Sequence, residues 1–413
     1  MARLSARMGV TEKKQSEATG PEQRAERLTQ TRNLKMARSA HAYVRGNTVK
    51  FYDWLEASAG KVPEGPPVWI CGDCHLGNLG PLADTKGRVA IQIRDLDQTV
   101  IGNPAHDLIR LGLSLASAAR GSNLPGVTTA RILEQLVAGY ENALSDDIER
   151  GKDKINRPKR IQILLEQSVR RRWRQLALER LESVTPVLPM GKKFWTLTPE
   201  ERTGLVQLFE QGPIRAMITG LQGRESSDAV TMVDAAYWIK GCSSLGRLRY
   251  AVMLRVGEGK GSALCLVDLK EGVTAAAPRA EGVAMPRDNA VRVVTGAKAL
   301  SPNLGDRMIA ARFLDTGVVL RELMPQDLKI EVDRLTREEA MALAAYLAAV
   351  VGRAHGRQLD KATRDSWRSE LAKARNTALD APSWLWSNVV ELISIHEAAY
   401  LDHCRRFALA EPA

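Results

Sequence analysis

The chain has 413 residues, an ordinary globular composition and a formal net charge of +11. This length allows two or three domain-sized units with a large buried core, and the composition excludes fibrous, low-complexity and repeat architectures. No apolar run is long enough to span a bilayer, no signal-peptide pattern opens the chain, and five cysteines fit a reducing compartment, so we expect a cytoplasmic protein without a membrane partner.

The positive charge has three interpretations. It is typical of solvated helix surfaces, it attracts an anionic substrate such as ATP, or it binds nucleic acid. No recognised nucleic-acid motif and no interleaved aromatic residues accompany it, so any nucleic-acid binding is expected to be weak and non-specific.

Residues 1–34 are charged and poor in hydrophobic side chains, with a break at Gly20-Pro21. They predict an N-terminal extension that is helical from Pro21 and mobile at its tip. Two helical pieces are then expected around Arg45. The Arg45 side chain either contacts a phosphate or caps a core carboxylate, and we favour the carboxylate.

A polar loop and a hairpin follow the short apolar run at residues 68–70. The loop carries Asp73 and Asn78 five residues apart, and a turn at residues 84–87 leads into an alternating strand that ends at Asp95 and Asp97. Acidic and amide side chains are thus expected together at the ends of two paired strands. Phosphoryl transfer uses such a set, because one Asp orients and deprotonates the acceptor hydroxyl while an Asn and an Asp hold Mg²⁺.

Helical patterns begin at Pro104, with Asp107 in the first turn, where a carboxylate suits the helix dipole. A second helix is predicted near residues 128–145. Residues 152–182 then contain ten Lys or Arg against four acids, including the basic cluster at residues 170–174. This cluster is either a solvated helix face or a docking site for an acidic partner or nucleic acid.

Three strands are predicted between residue 231 and Lys270. A segment of the form Gly-x-x-Ser-x-Gly at 241–246 separates the first two, and a glycine-rich turn at 257–261 joins the second and third. The glycine segment alone matches many ordinary turns, and its coupling to an alternating hairpin and a strand-end lysine makes it more specific. The remaining predictions are a helix at 288–300, a strand running into Pro325, and helices at 337–352 and 383–407.

The polar loop and hairpin resemble the catalytic and metal loops of aminoglycoside phosphotransferases, choline kinases and, more distantly, protein kinases. The motifs that carry this resemblance are Gly-Asp-x-His-x-x-Asn at 72–78, Asp-x-Asp at 95–97 and Gly-x-Pro-x-x-Asp-Leu at 102–108. The whole chain also resembles a bacterial domain-of-unknown-function family with kinase-like motifs.

The resemblance implies a role for each of these side chains. Asp73 would be the catalytic base, Asn78 and Asp95 would bind Mg²⁺, and Asp107 would support the loop from the next helix. Asp95 is preferred to Asp97 because its spacing to the glycine of the third motif matches the metal-binding Asp of the family, and Asp97 remains a further candidate metal ligand.

The order of strand, glycine loop, strand, turn and strand ending in Lys resembles the small lobe of a kinase. It implies that the loop covers the phosphates of ATP, that Lys270 pairs with the α- and β-phosphates, and that Glu322 lies at the hinge, where backbone groups meet adenine. The loop residues implied in nucleotide binding are Gly241, Ser243, Ser244 and Gly246.

The chain departs from these families at several positions. Cys71 stands where the phosphotransferases usually carry His, and Arg94-Asp95-Leu96 replaces the Asp-Phe-Gly of protein kinases. The helix at 288–300 offers Thr295 where a Glu would pair with Lys270. The candidates to replace this Glu are Glu271, Glu281 and Asp288.

We therefore expect an α+β, two-lobed kinase-like fold that is circularly permuted, because the catalytic loop precedes the glycine loop. The predicted units are an extension (1–34), a first part of the large lobe (35–230), a small nucleotide-binding lobe (231–323) and a hinge with closing helices (324–413). This arrangement predicts that Lys270 lies beside Asp95. The rival explanation is that one of the two halves is a false match.

The expected activity is ATP- and Mg²⁺-dependent phosphoryl transfer to an unidentified hydroxyl acceptor, either a small molecule or a protein. Two alternatives remain, a catalytically silent module that binds nucleotide and an enzyme that transfers a nucleotidyl group. Zinc or redox chemistry at Cys71-x-x-Cys74 is disfavoured, because no second ligand pair exists in the sequence.

Overall fold

The computed structural model describes residues 21–58, 60–145, 157–181, 186–221, 223–241, 245–330, 335–373, 375 and 380–407. It confirms the predicted α+β class, with a helical part that carries two short antiparallel strand pairs and a separate antiparallel sheet. The helices are α1 (Pro21–Met36), α2 (Ala40–Gly46), α3 (Thr48–Ala57), α4 (Pro104–Gly121), α5 (Gly126–Asn142), α6 (Lys159–Arg170), α7 (Trp173–Leu181), α8 (Pro199–Glu210), α9 (Gly212–Thr219), α10 (Asn289–Leu300), α11 (Pro302–Gly305), α12 (Arg337–Gly356), α13 (Lys361–Ala372) and α14 (Ser383–Phe407). The strands are β1 (Val68–Ile70), β2 (Leu79–Ala83), β3 (Val89–Ile93), β4 (Val100–Gly102), β5 (Phe194–Trp195), β6 (Val230–Trp238), β7 (Arg249–Val256), β8 (Ala263–Glu271), β9 (Met308–Phe313) and β10 (Thr316–Glu322).

Two short antiparallel strand pairs place the polar loop. β1 pairs with β4, and β2 pairs with β3 with Leu79 opposite Ile93. The turn between β2 and β3 lies where the sequence predicts it, and the Asp84 carboxylate accepts from the backbone N–H groups of Lys86 and Arg88. The loop between β1 and β2 therefore lies beside the end of β3.

The larger sheet is antiparallel throughout, with the strand order β5-β6-β7-β8-β10-β9. Its register sets Lys270 of β8 between Arg249 of β7 and Val319 of β10. Lys270 thus lies in the middle of the sheet, although it comes near the end of its own strand.

Side-chain alternation gives the sheet two apolar faces. On one face Tyr250, Val252 and Leu254 pack with residues of α8 and α9. On the other face Ala251 and Met253 pack with Leu176, Ala177 and Leu181 of α7. A third and larger core lies among α4, α5, α10, α12 and α14 and surrounds the two short strand pairs.

The predicted helix from Pro21 is confirmed, and the predicted mobile tip lies outside the described residues. The Arg24 side chain of this helix forms a buried ion pair with Glu201 at 2.6 Å, and Glu201 also accepts from the Tyr250 hydroxyl at 2.8 Å. At the other end of α1 the Ala37 carbonyl accepts from Tyr400 of α14 at 3.1 Å. Helix α1 therefore links the sheet to the helical part.

Among the described residues, no helix combines the length and the apolarity that a bilayer crossing requires.

Replacing Arg24 with Ala should lower the free energy of unfolding by about 3 kcal/mol, because it leaves the Glu201 carboxylate buried without its cation. Urea unfolding followed by circular dichroism measures this change. Lys61→Ala is the matched control, because Lys61 pairs with Glu391 at the surface, and its loss should cost less than about 1 kcal/mol. Equal effects of the two substitutions would show that the buried pair does not stabilise the protein.

Candidate functional site

The loop between β1 and β2 is held by Asp107 in the first turn of α4. The Asp107 carboxylate accepts from the backbone N–H of Cys71 at 2.7 Å and from that of Gly72 at 3.0 Å. Gly72 has a φ of +73°, and a Cβ at this position would lie 2.1 Å from the carbonyl oxygen of Gln98. Only glycine fits this bend, and the predicted supporting role of Asp107 agrees with these contacts.

A buried chain of hydrogen bonds continues behind Asp107. The Trp367 indole donates to the Tyr140 hydroxyl at 3.3 Å, and the Tyr140 hydroxyl lies 2.9 Å from Nδ1 of His355. Nε2 of His355 lies 3.2 Å from the Asp107 carboxylate. If Tyr140 donates to Nδ1, then Nε2 carries the proton and donates to Asp107. The sequence did not reveal the role of His355, because His355 follows Asp107 by 248 residues and no local sequence motif spans such a separation.

Asp73 lies in this loop, and its side chain is buried against Arg110. Nε of Arg110 donates to Oδ1 of Asp73 at 2.9 Å, and another nitrogen of Arg110 donates to the Val44 carbonyl at 2.6 Å. Burial raises the pKa of Asp73, and the Arg110 cation opposes that rise. Arg110 follows Asp107 by one helical turn, so the helical period could have placed it on the same face.

Asn78 meets the end of β3 through the backbone. Its side-chain amide donates to the Asp73 carbonyl at 3.0 Å, and its own carbonyl accepts from the Arg94 N–H at 2.7 Å. Asp95 is the next residue. Asn78, Asp73 and Asp95 therefore line one cleft, as expected for a catalytic loop beside a metal loop.

The Lys270 side chain extends from the sheet to Asp95. Its ammonium lies 3.3 Å from Oδ1 of Asp95, across 175 residues of sequence, and it also contacts the Asp97 carboxylate. The predicted proximity of Lys270 and Asp95 is confirmed. The expectation that Glu271, Glu281 or Asp288 pairs with Lys270 is wrong, because Asp95 and Asp97 are its ion-pair partners within the described part of the chain.

Two of those expected partners have other contacts. The Glu271 carboxylate accepts from the Leu248 N–H at 2.9 Å, and the Asp288 carboxylate caps α10 by accepting from the Val291 N–H. The sequence of α10 contains no acidic side chain, and Lys270 is paired with Asp95 and Asp97 instead.

The two carboxylates of the metal loop differ in their surroundings. Burial favours a higher pKa for Asp95, but the cations Lys270, Arg321 and Arg249 outweigh it and hold the pKa below its ordinary value. Burial and the neighbouring Asp95 charge raise the pKa of Asp97. The Asp95 side chain is 41% exposed and that of Asp97 is 19% exposed. Asp95 is thus the ionised and accessible candidate metal ligand, and Asp97 is mainly the partner of Lys270.

The cleft is strongly cationic. Seven Arg or Lys side chains line it against three Asp side chains, Asp73, Asp95 and Asp327. Three of the cations already have carboxylate partners, since Arg249 and Arg321 share the buried Asp268 carboxylate and Arg180 pairs with Glu179. The seven cations are Arg45, Arg94, Arg180, Lys240, Arg249, Arg321 and Lys329.

Arg45 corrects an expectation from the sequence. Its guanidinium packs against Gly77 of the polar loop and lines the cleft, and among the described residues it forms no ion pair. The expectation that it caps a core carboxylate is therefore wrong. The sequence could not show this, because it does not reveal which side of α2 faces the loop.

The residues implied in nucleotide binding are partly visible. Gly241 lines the cleft, and its carbonyl accepts from the Lys35 ammonium at 3.0 Å. Gly246 has a φ of +99°, in the region that favours glycine. Ser243 and Ser244 lie outside the described residues.

Glu322 is engaged away from the cleft. Its carboxylate forms two hydrogen bonds with Arg224, at 2.5 and 2.8 Å, and its carbonyl accepts from Arg307 at 3.0 Å. The next residues, Leu323 and Met324, line the cleft instead.

Cys71, Cys74 and Asp107 form a buried group whose candidate ligand atoms lie within 4.8 Å of one another. The hydrogen bond with Cys74 and burial raise the pKa of Cys71 well above its ordinary value, and the pKa of Cys74 is raised as well. Metal binding needs thiolates, and the Asp107 oxygens already accept from the loop. This group is therefore better explained as structural packing.

The basic cluster at residues 170–174 uses part of its charge internally. Arg171 pairs with Glu179 at 2.5 Å, and Arg172 donates to the carbonyls of Val169 and Arg171. These contacts agree with the interpretation that the cluster is largely a solvated helix surface.

Comparison with known proteins gives one match. The model of a family described as "Uncharacterized protein conserved in bacteria (DUF2252)" matches residues 24–406. No curated protein and no solved structure matches the chain.

Asp107→Ala should lower the free energy of unfolding by about 3 kcal/mol, because the N–H groups of Cys71 and Gly72 lose their acceptor in a buried site. Urea unfolding measures the loss, and hydrogen exchange of the loop amides should report faster opening at this site. Asp365→Ala is the control, since Asp365 pairs with Lys361 on an exposed helix face. Unchanged loop exchange in Asp107→Ala would contradict the supporting role.

Proposed function

We propose that this chain, which belongs to the bacterial DUF2252 family, is an ATP- and Mg²⁺-dependent phosphotransferase with a permuted kinase-like architecture. The observation that carries the proposal is the contact of Lys270 with Asp95. It joins a strand-end lysine of the sheet to the carboxylate that follows the catalytic-type loop. In kinases the same two residue types meet the phosphates and the metal of bound ATP.

The order of elements supports the small-lobe assignment. β6, the glycine segment, β7, β8 with Lys270, α10 and the β9–β10 pair follow one another as in a kinase small lobe, and Leu323 and Met324 then line the cleft. The polar loop and the metal loop precede all of these in the chain. Circular permutation accounts for this order if both halves belong to one catalytic unit.

Asn78 and Asp95 are the residues that would hold Mg²⁺, because they present an amide and an ionised carboxylate to one cleft. Bound Mg²⁺ would supply neutralisation of the charge on the phosphates. The Lys270 ammonium would bind and orient the nucleotide phosphates.

Asp73 is the candidate general base. Arg110 holds Oδ1 by a hydrogen bond, which orients the carboxylate and leaves Oδ2 as the oxygen that would accept the proton of the acceptor hydroxyl. A raised pKa makes Asp73 a stronger base than an ordinary carboxylate while Arg110 limits the rise. The γ-phosphoryl group would then pass to the acceptor oxygen, and ADP would leave.

One observation favours the alternative of a silent nucleotide-binding module. Helix α10 carries no acidic side chain that could pair with Lys270, and an active protein kinase needs such a lysine–glutamate pair. Nucleotidyl transfer uses the same metal and phosphate contacts and is distinguished by its products.

Asp73→Asn should reduce turnover by roughly 10²–10⁴-fold, because it removes the general base, while the affinity for ATP stays unchanged. Incubation with labelled ATP and cell extract, followed by mass analysis of the products, identifies the acceptor and provides the rate assay. Asp315→Asn is the control, since Asp315 lies in the exposed turn before β10. Full turnover by Asp73→Asn would remove Asp73 from the base role.

ATP should raise the melting temperature of the wild type only when Mg²⁺ is present, and Asp95→Ala should abolish this Mg²⁺-dependent part, because it removes the accessible carboxylate ligand. Thermal unfolding with ATP alone and with ATP plus Mg²⁺ measures both effects. Stabilisation by ATP that does not depend on Mg²⁺ and persists in Asp95→Ala would favour the silent module over the enzyme.

A further inference from the structure

Four of the cleft cations lie close to one another, because the charges of three of them act on the fourth, Lys329. These outer cations are Arg45, Arg94, Arg180 and Lys329. The Arg45 guanidinium lies 2.8–3.0 Å from the place where a Cβ on Gly77 would stand, and Cδ of Arg94 lies 2.8 Å from the corresponding place on Gly80. Both arginines therefore rest on glycines that flank Asn78.

The outer cations have few anionic partners within the described part of the chain. Arg45 and Lys329 form no ion pair there, and the side-chain hydrogen bond of Arg94 goes to the backbone carbonyl of Asp327 at 3.3 Å. The Asp327 carboxylate itself is bound by Arg307. Arg180 shares the single carboxylate of Glu179 with Arg171.

Several nitrogen atoms of this group are buried without a hydrogen-bond partner, namely Nε of Arg45, of Arg94 and of Arg180. Burial lowers the pKa of Lys329, and the neighbouring charges of Arg45, Arg180 and Arg94 lower it further. Four cations thus repel one another at one end of the cleft. A bound anion would relieve this repulsion and supply the missing hydrogen-bond acceptors.

The cations on the sheet side have partners of their own. Lys270 is paired with Asp95 and Asp97, while Arg249 and Arg321 bind Asp268. Arg94 directly precedes Asp95 in the chain, and Asp73 lines the same cleft as the outer cations. The sheet side suits the nucleotide phosphates, and the outer cations then face the acceptor beside Asp73.

We propose that the acceptor is itself an anion, a small hydroxyl compound that carries a phosphate group, and that the outer cations hold this phosphate while the hydroxyl meets Asp73. This inference rests on the proposed phosphotransferase activity. A phosphate has enough oxygens to engage several guanidinium groups, whereas a single carboxylate offers two. In the reaction the acceptor O–H bond breaks and its proton goes to Asp73. A new bond forms from the acceptor oxygen to the γ-phosphorus, the bond from that phosphorus to ADP breaks, and the product carries two phosphate groups.

Calorimetric titration of inorganic phosphate tests the assignment. The wild type should bind phosphate both alone and with saturating Mg²⁺ and a non-hydrolysable ATP analogue. Arg45→Gln and Lys329→Gln, singly or together, should weaken phosphate binding by about tenfold or more and leave the affinity for the analogue unchanged. Lys270→Met should weaken binding of the analogue and leave phosphate binding unchanged. Arg174→Gln is the control, because Arg174 is an exposed arginine of α7 outside the cleft.

Three results would overturn the assignment. Displacement of phosphate by the analogue would show that the outer cations bind the nucleotide. Phosphate binding that is unchanged in Arg45→Gln and Lys329→Gln would show that the anion binds elsewhere. Tighter binding of malonate than of phosphate would replace the phosphate group by carboxylates. Failure of the analogue to bind would instead overturn the phosphotransferase proposal, and the acceptor assignment with it, even if phosphate still bound at Arg45 and Lys329.

Discussion

The contact of Lys270 with the carboxylates of Asp95 and Asp97 is the constraint on which the site depends. It joins the middle of the antiparallel sheet to the end of the β2–β3 hairpin, two parts of the chain that are separated by 175 residues. Lys270 is buried, and a buried charge is costly to desolvate unless nearby opposite charges compensate it. Here Arg321 donates to the Arg94 carbonyl and to Asp268, and thereby fixes the sheet to the hairpin a second time.

The loop that carries Asp73 is rigid for a separate reason. Asp107 accepts from two loop amides, and His355 and Tyr140 extend this support to α12 and α5. Preorganised groups lose less free energy when a reaction develops charge, so a rigid loop beside a cationic cleft suits phosphoryl transfer. The cost of this arrangement is repulsion among neighbouring cations of the cleft, which a bound polyanion would relieve.

Local patterns allowed much of the fold to be predicted. The period of apolar residues located α14 and β3, and turn residues located the hairpin at Asp84. The nearness of Lys270 to Asp95 followed from the order of motifs. The interaction partners of individual side chains were harder to predict from the sequence. Asp97, Arg110 and His355 contact their partners across elements that are distant in sequence. Arg45 shows the same limit, since helical periodicity does not say which neighbour its guanidinium faces. The roles of the glycine-segment serines stay predictions, as Ser243 and Ser244 lie outside the described residues.

The most direct test is a crystal structure with Mn²⁺ in place of Mg²⁺ and a non-hydrolysable ATP analogue, in which anomalous scattering locates the metal. The account predicts a metal peak about 2 Å from the side-chain oxygens of Asp95 and Asn78, with the Lys270 ammonium on the phosphates. A metal peak at Cys71 and Cys74, or phosphates bound away from Lys270, would contradict it.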